Sequence, residues 1–209
     1  NVISGYTDPL VGGVGGPVCF SDGSPAMGRN AVSTEGLWFD ESRNECIEGL
    51  YPVMVGCNMS FRRRPLSAVG GFDPYFKYHQ DETDACLSIL HQGFHIAYQE
   101  DAVVWHEWCE GSYRQDMLRW YLRLRYLWGR NNSYLVRKHF GREVPFIRYC
   151  GNRVNAFILR RTLATESPGE KMRKNPQTPK FLTYVGVVSE AFGLLQGWRD
   201  ARLLRSRSS

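Results

Sequence analysis

The chain has 209 residues, 43% of them apolar and 13% aromatic, which is enough to bury a sizeable core and excludes a disordered protein. Its six cysteines are scattered with no CxxC pair and no short metal-ligand spacing, which argues against a zinc module or a disulfide-stapled scaffold and fits a reducing cytosol. The net charge of +5 hides a division: residues 1–112 hold 6 Lys/Arg against 15 Asp/Glu, a net of −9, and residues 113–209 hold 20 against 6, a net of +14. An acidic half suits a cation site, and a basic half suits anionic lipid headgroups, lipid-linked pyrophosphates or nucleic acid. The chain opens on Asn1 with neither a charged nor an apolar leader segment, so a truncated start is expected. In a reducing compartment the N-x-S matches at Asn58 and Asn131 carry no meaning.

In chain order, LVGGVGGPVCF predicts a buried, glycine-studded strand with a close backbone approach. Its GGVGG is not a dinucleotide fingerprint, because turn chemistry (SDGSPAMGRN) follows instead of a helix. EGLWFD predicts a strand and residues 41–48 a polar loop. Residues 53–62, VMVGCNMSFR, predict a second buried strand running into Arg62, Arg63 and Arg64. One helical turn fits between Pro65 and Val69, closed by Gly70 or Gly71 in the left-handed position. DETDACLSILHQG predicts a helix with Ala85, Cys86, Ile89 and Leu90 at helical spacing and Gly93 at its end; FHIAY and AVVWHE predict two short strands around QED.

Beyond Gly111 the period is helical. Over 113–140, Met117, Trp120, Tyr121, Leu124, Leu127 and Trp128 fall on one face and Arg119, Arg123, Arg130 and Arg137 on the other, provided the helix survives GRNNS. Further helices are predicted near 145–163 and 179–205, separated by the breaker-rich stretch 165–179. The 18 residues FLTYVGVVSEAFGLLQGW contain Glu190 and Gln196, so they read as amphipathic or interfacial before transmembrane.

Three elements carry chemistry. Asp81, Glu82 and Asp84 stand at a helix start, where the macrodipole keeps carboxylates ionised and able to accept a proton; the same positions also suit an N-cap and its capping-box partner. His106 closes a strand between two tryptophans, as a ligand for a cation such as manganese or as a hydrogen-bonded residue near the core. In GCNMSFRRR, Gly56 admits a ligand or a backbone. Asn58 lines a cleft or is satisfied by main chain, and the arginines hold phosphates or are in part solvated surface charges.

In order and spacing, VGGVGGPV, GCNMSFRR, GGFDPYF, DETDACLS, GFHIAY and AVVWH resemble the second half of family-2 glycosyltransferases of the GT-A (nucleotide-diphospho-sugar transferase) fold, over roughly residues 8 to 110. The family reads G-x-N-x-x-[FY]-[RK], GGFDE-x-[FY], E-D-x-D-L-x-x-R, G-[FY]-x-[IV]-x-[YF] and A-x-[VI]-x-H. The resemblance implies an α/β chain: the C-terminal part of a GT-A sandwich over 1–112, followed by a basic helical tail over 113–209. It makes Glu82 the match to the catalytic aspartate, with Asp81 and Asp84 flanking it, and His106 the match to a histidine that helps hold the divalent cation, Mn or Mg. Gly56, Asn58, Arg62, Arg63, Gly71, Phe72 and Asp73 fall on substrate-binding positions. Two departures stand out: Glu-Asp is swapped to Asp81-Glu82, and the arginine four residues after the last acid is Ser88. The family's D-x-D element occurs nowhere in the chain, so the nucleotide-binding part is expected to be missing.

The implied activity is metal-assisted, inverting transfer of a sugar from a nucleotide-diphosphosugar to a glycan or polyprenyl-linked acceptor. The implied location is the cytoplasm, on the inner face of an anionic membrane. The alternative is a non-catalytic, degenerate module that binds membrane or protein partners. Nucleic acid is disfavoured, because the aromatic residues of the tail fall on the apolar face and do not interleave with the basic stripe.

Overall fold

The computed structural model describes residues 2–40, 49–107, 117–141, 143–153 and 180–205 of a mixed α/β chain. The expected loop 41–48, most of the helix predicted at 145–163 and the breaker-rich stretch lie outside the described residues. The chain divides into two compact units, Asn1–Cys109 and Glu110–Ser209.

The first unit is built on three small sheets. The glycine-studded opening makes two strands, β1 (Val11–Gly15) and β2 (Val18–Cys19), where the sequence predicts one. The break falls at Gly16-Pro17. A Cβ on Gly16 would overlap the carbonyl oxygen of Ala102, so the backbone of the following strand pair comes closer here than any side chain permits. β3 (Pro25–Met27) pairs antiparallel with β2, and β4 (Asn30–Ser33) pairs antiparallel with both β5 (Trp38–Asp40) and β6 (Leu50–Val53). β3 and β4 fall partly within what reads as turn chemistry, because only Ala31, Val32 and Ser33 among these residues are buried and their run is too short to show a period.

The predicted strand 53–62 is instead two strands. β6 ends at Val53 and β7 (Met59–Phe61) begins after a tight turn, in which the Asn58 N–H donates to the Val55 carbonyl at 2.9 Å. β7 then pairs antiparallel with β1, and β8 (His95–Tyr98) pairs parallel with the other edge of β1. β9 (Val104–Trp105) runs parallel to β2.

Two helices complete this unit. α1 (Arg63–Ala68) starts before Pro65, which its first turn tolerates. It closes as a Schellman motif: the Gly71 N–H donates to the Leu66 carbonyl (2.9 Å), the Gly70 N–H to that of Ser67 (3.1 Å), and both glycines have positive φ, 87° and 77° for Gly70 and Gly71. α2 (Asp81–His91) buries Ala85, Cys86, Leu87 and Ile89. A Cβ on Gly12 of β1 would come within 2.7 Å of the Ile89 side chain. The bare β1 backbone therefore sets how closely α2, and the acids at its start, sit on the sheet.

The second unit centres on two long helices, α3 (Met117–Phe140) and α4 (Lys180–Arg205), with a further helical stretch at 146–153. α3 does survive GRNNS. Asn131, Asn132 and Ser133 are at most 1% exposed, and the Ser133 hydroxyl donates to the Leu194 carbonyl of α4 at 2.8 Å. The Ser189 hydroxyl of α4 returns the contact to the Leu122 carbonyl, also at 2.8 Å. Contacts advance together along both chains, Tyr121 with Gly186, Tyr126 with Gly193 and Arg130 with Gly197, so the helices run parallel and backbone to backbone.

Glu190, which breaks the apolar run in the sequence, receives Arg125 and, at 2.8 Å, Arg153. Arg137 lies over the Trp198 ring at 4.8 Å, with Tyr149 stacked on the same ring at 5.7 Å. The arginine stripe is thus only partly solvent-facing, because α4 covers part of the face that helical periodicity assigns to water. Among the described residues no helix is long and apolar enough to cross a membrane.

Candidate functional site

The acids at the start of α2 are not arranged as caps. The N-cap is Gln80, which makes no side-chain cap hydrogen bond, and the third helical position is Thr83, one residue before Asp84. The capping-box reading of Asp81 and Asp84 is therefore displaced by one residue and fails. What turns the chain into the helix is backbone strain: His79 and Gln80 have φ of 64° and 74°, a left-handed pair without glycine. Two such residues in succession cost energy that the surrounding packing must hold, and strain of this kind concentrates at functional sites. Gln80 is 3% exposed and its Oε1 has no partner, as has the Oγ1 of fully buried Thr83.

Glu82 is the perturbed group of the cluster. Burial pushes its carboxyl up to about 7, helped by the hydrogen bond that the protonated carboxyl donates to Asp81 and by the Asp81 charge; hydrogen bonding by the backbone at Glu82 and Gln80 pulls the other way. Asp81 is half-buried beside it, and Asp84 is 2% exposed and faces the interior.

Gly56 lies across from Glu82. A Cβ built there would sit 3.8 Å from the Glu82 carboxyl carbon, in ordinary contact, so the turn between β6 and β7 lies against the carboxyl with no side chain of Gly56 between them. Cys57, the next residue of the turn, is exposed, and its thiol is raised first by burial and also by the Glu82 charge. Cys57 and Asn58 line an open cleft of about 460 Å³ with Ser60, Asp101 and Val103.

Other expected site residues have structural duties. Both donors of the Asn58 side-chain amide are spent on main chain, the carbonyls of Ala102 (2.7 Å) and Pro17 (2.9 Å). Asn58 thereby ties the turn to the β2 and β9 strands. The Arg62 guanidinium donates to the carbonyls of Val11 (2.9 Å) and Tyr6 (3.2 Å) and lies over the Tyr6 ring, pinning the first residues to β1. Its charge is occupied by this clamp, so the phosphate role falls away from Arg62. Arg63 is exposed at the first position of α1.

In the GGFD stretch, Gly71 closes α1 and Phe72, 42% exposed, meets the Phe61 ring edge-on at 5.8 Å. Asp73 accepts the Tyr75 N–H at 2.9 Å and so shapes the approach to α2. His106 follows β9, half-buried, with its N–H on the Cys19 carbonyl at 2.9 Å. Among the described residues no three of His, Cys, Asp and Glu come together as a metal-ligand group.

The structure therefore brings Glu82, Asp81, Gly56 and Cys57 together and assigns Asn58 and Arg62 to the scaffold. Gln80, Thr83 and Cys57 are additions that no local pattern marks; the one signal available is the unusual bulk of His79-Gln80 just before a helix start. No protein-family model matches the chain, and no curated protein sequence matches it.

Proposed function

We propose that this chain carries the acceptor-side part of a family-2 glycosyltransferase of the GT-A fold, with Glu82 as the base. The reading rests on one observation: a half-buried carboxyl whose pKa is raised to about 7, beside Gly56, where a Cβ would sit 3.8 Å from the carboxyl carbon. A base poised near the working pH is what deprotonation of an alcohol requires. The acceptor hydroxyl passes its proton to the Glu82 carboxylate as its oxygen attacks the anomeric carbon of a nucleotide-diphosphosugar. The bond from that carbon to the diphosphate breaks on the opposite face, and the electron pair leaves with the diphosphate. The outcome is inversion.

The acceptor is a glycan or a polyprenyl-linked sugar. The reading includes a divalent cation, Mn or Mg, with His106 as its one protein ligand among the described residues. The net charge of +14 over 113–209 supports a location at the cytoplasmic face of an anionic membrane.

The test uses a full-length protein in which this chain is joined to a nucleotide-binding part, and measures nucleoside diphosphate released from UDP-, GDP- and dTDP-sugars in the presence of glycan acceptors. Glu82→Gln or Asp81→Asn is expected to slow turnover by at least about a hundredfold. The wild-type rate should rise with pH through about 7, as Glu82 loses its proton. Equal turnover by both variants and the wild type removes Glu82 and Asp81 as the base. A second reading, a non-catalytic module that binds membrane or protein partners, is favoured by the commitment of Asn58 and Arg62 to main chain. It predicts glycan or membrane binding that Glu82→Gln leaves unchanged, with no diphosphate release from any donor.

A further inference from the structure

The α4 helix has its side chains the wrong way round for a helix in water. Toward α3 it turns Gly186, Ser189, Glu190, Gly193 and Gly197, with the two backbones in contact and the serine hydroxyls bonded to the facing carbonyls. Outward it turns Val188, Phe192 and Leu195, which are 54%, 65% and 57% exposed. Small residues inward, hydroxyl-to-carbonyl bonds between helices and large apolar residues outward is the packing of helices that meet lipid. Arg199 and Arg202, both exposed, continue the same stripe, all five residues falling within an arc of about 80° at 100° per residue.

We propose that α4 is an interfacial membrane anchor, bedding Val188, Phe192 and Leu195 in the boundary between headgroups and acyl chains of an anionic bilayer, with Arg199 and Arg202 on its phosphates. No described helix is long and apolar enough to cross a membrane, so α4 lies in the surface. Charge decides the occupant. Residues 113–209 carry a net of +14, which an anionic leaflet complements, whereas a second copy brings the same charge and the same two arginines against itself. The proposal deepens the membrane location given above and is independent of the transfer chemistry.

The test is cosedimentation of the full chain with vesicles of phosphatidylcholine alone and of phosphatidylcholine mixed with phosphatidylglycerol. The chain is expected to pellet with the anionic vesicles and to be released by raised salt. Phe192→Ser combined with Leu195→Ser should weaken that binding at least about tenfold. Arg199→Glu combined with Arg202→Glu should weaken it and flatten its salt dependence. Circular dichroism checks that each variant keeps its helix content; these positions are exposed and support no core. Equal binding to both vesicle types, binding to neither, or undiminished binding by the Phe192/Leu195 variant overturns the anchor. So does a dimer in solution that this variant dissolves. Glu82→Gln should sediment like the wild type. For the wild-type protein, turnover on a water-soluble acceptor without vesicle binding sinks the anchor alone, and vesicle binding without turnover sinks the transferase alone.

Discussion

Glu82 exposes a tension between stability and use. Its carboxyl has an ordinary pKa of 4.5 and is raised to about 7 in the fold. Between those values the folded chain keeps a proton that the unfolded chain has released, so stability declines as pH rises through this window and the full penalty stands above pH 7. At 1.36 kcal/mol per unit, and with some discount for partial exposure, the penalty is about 2–3 kcal/mol. Glutamine carries no charge to bury. Glu82→Gln should therefore be more stable than the wild type by about that amount at pH 8, and the two should coincide near pH 4, as urea unfolding at both pH values would show. Equal stability at pH 8 would mean that the carboxyl is not held at a cost. A residue whose removal stabilises the fold while stopping the chemistry is characteristic of a working site.

At the scale of elements, what repeats is legible and what depends on a single contact is not. α2 is plain in the spacing of Ala85, Cys86 and Ile89, and the end of α1 in Gly70-Gly71, because period and left-handed glycine are local properties. The turn at 55–58 is hidden in an apolar run, since what bends it is the Asn58 amide reaching Ala102 and Pro17, 44 and 41 residues away. The same distance problem conceals Arg62, whose partners precede it by about fifty residues. In α3 the buried asparagines and serine look like a helix breaker until α4 is seen to cover them.

The helix pair offers a sharp contrast of its own. A Cβ at Gly193 would overlap the Tyr126 carbonyl oxygen, so Gly193→Val must part the two backbones and should cost about 2–4 kcal/mol. Phe192→Ser, one residue away on the outward face, should change stability by no more than about 0.5 kcal/mol. Urea unfolding of the two variants separates a packed face from an exposed one, and equal losses would refute the assigned sidedness of α4.

Over the whole chain, charge is distributed in the sequence while its meaning lies in the rings around it. A net of +14 over 113–209 attracts any polyanion, nucleic acid included. Single-stranded nucleic acid is held by aromatic faces as well as by charge. In the second unit Trp198 is covered by Arg137 and stacked on Tyr149, with Phe146 at 5.0 Å, and Tyr149 is fully buried, while the exposed Phe192 belongs to the apolar outward face of α4. Charge with few open rings beside it gives weak, sequence-blind binding that salt removes. Fluorescence anisotropy with a random single-stranded oligonucleotide should therefore show a Kd of about 10⁻⁵ M near physiological salt, with no quenching of tryptophan emission. Submicromolar binding that quenches tryptophan and survives added salt would reverse the order of partners, making the basic unit a nucleic-acid surface and its affinity for anionic lipid incidental.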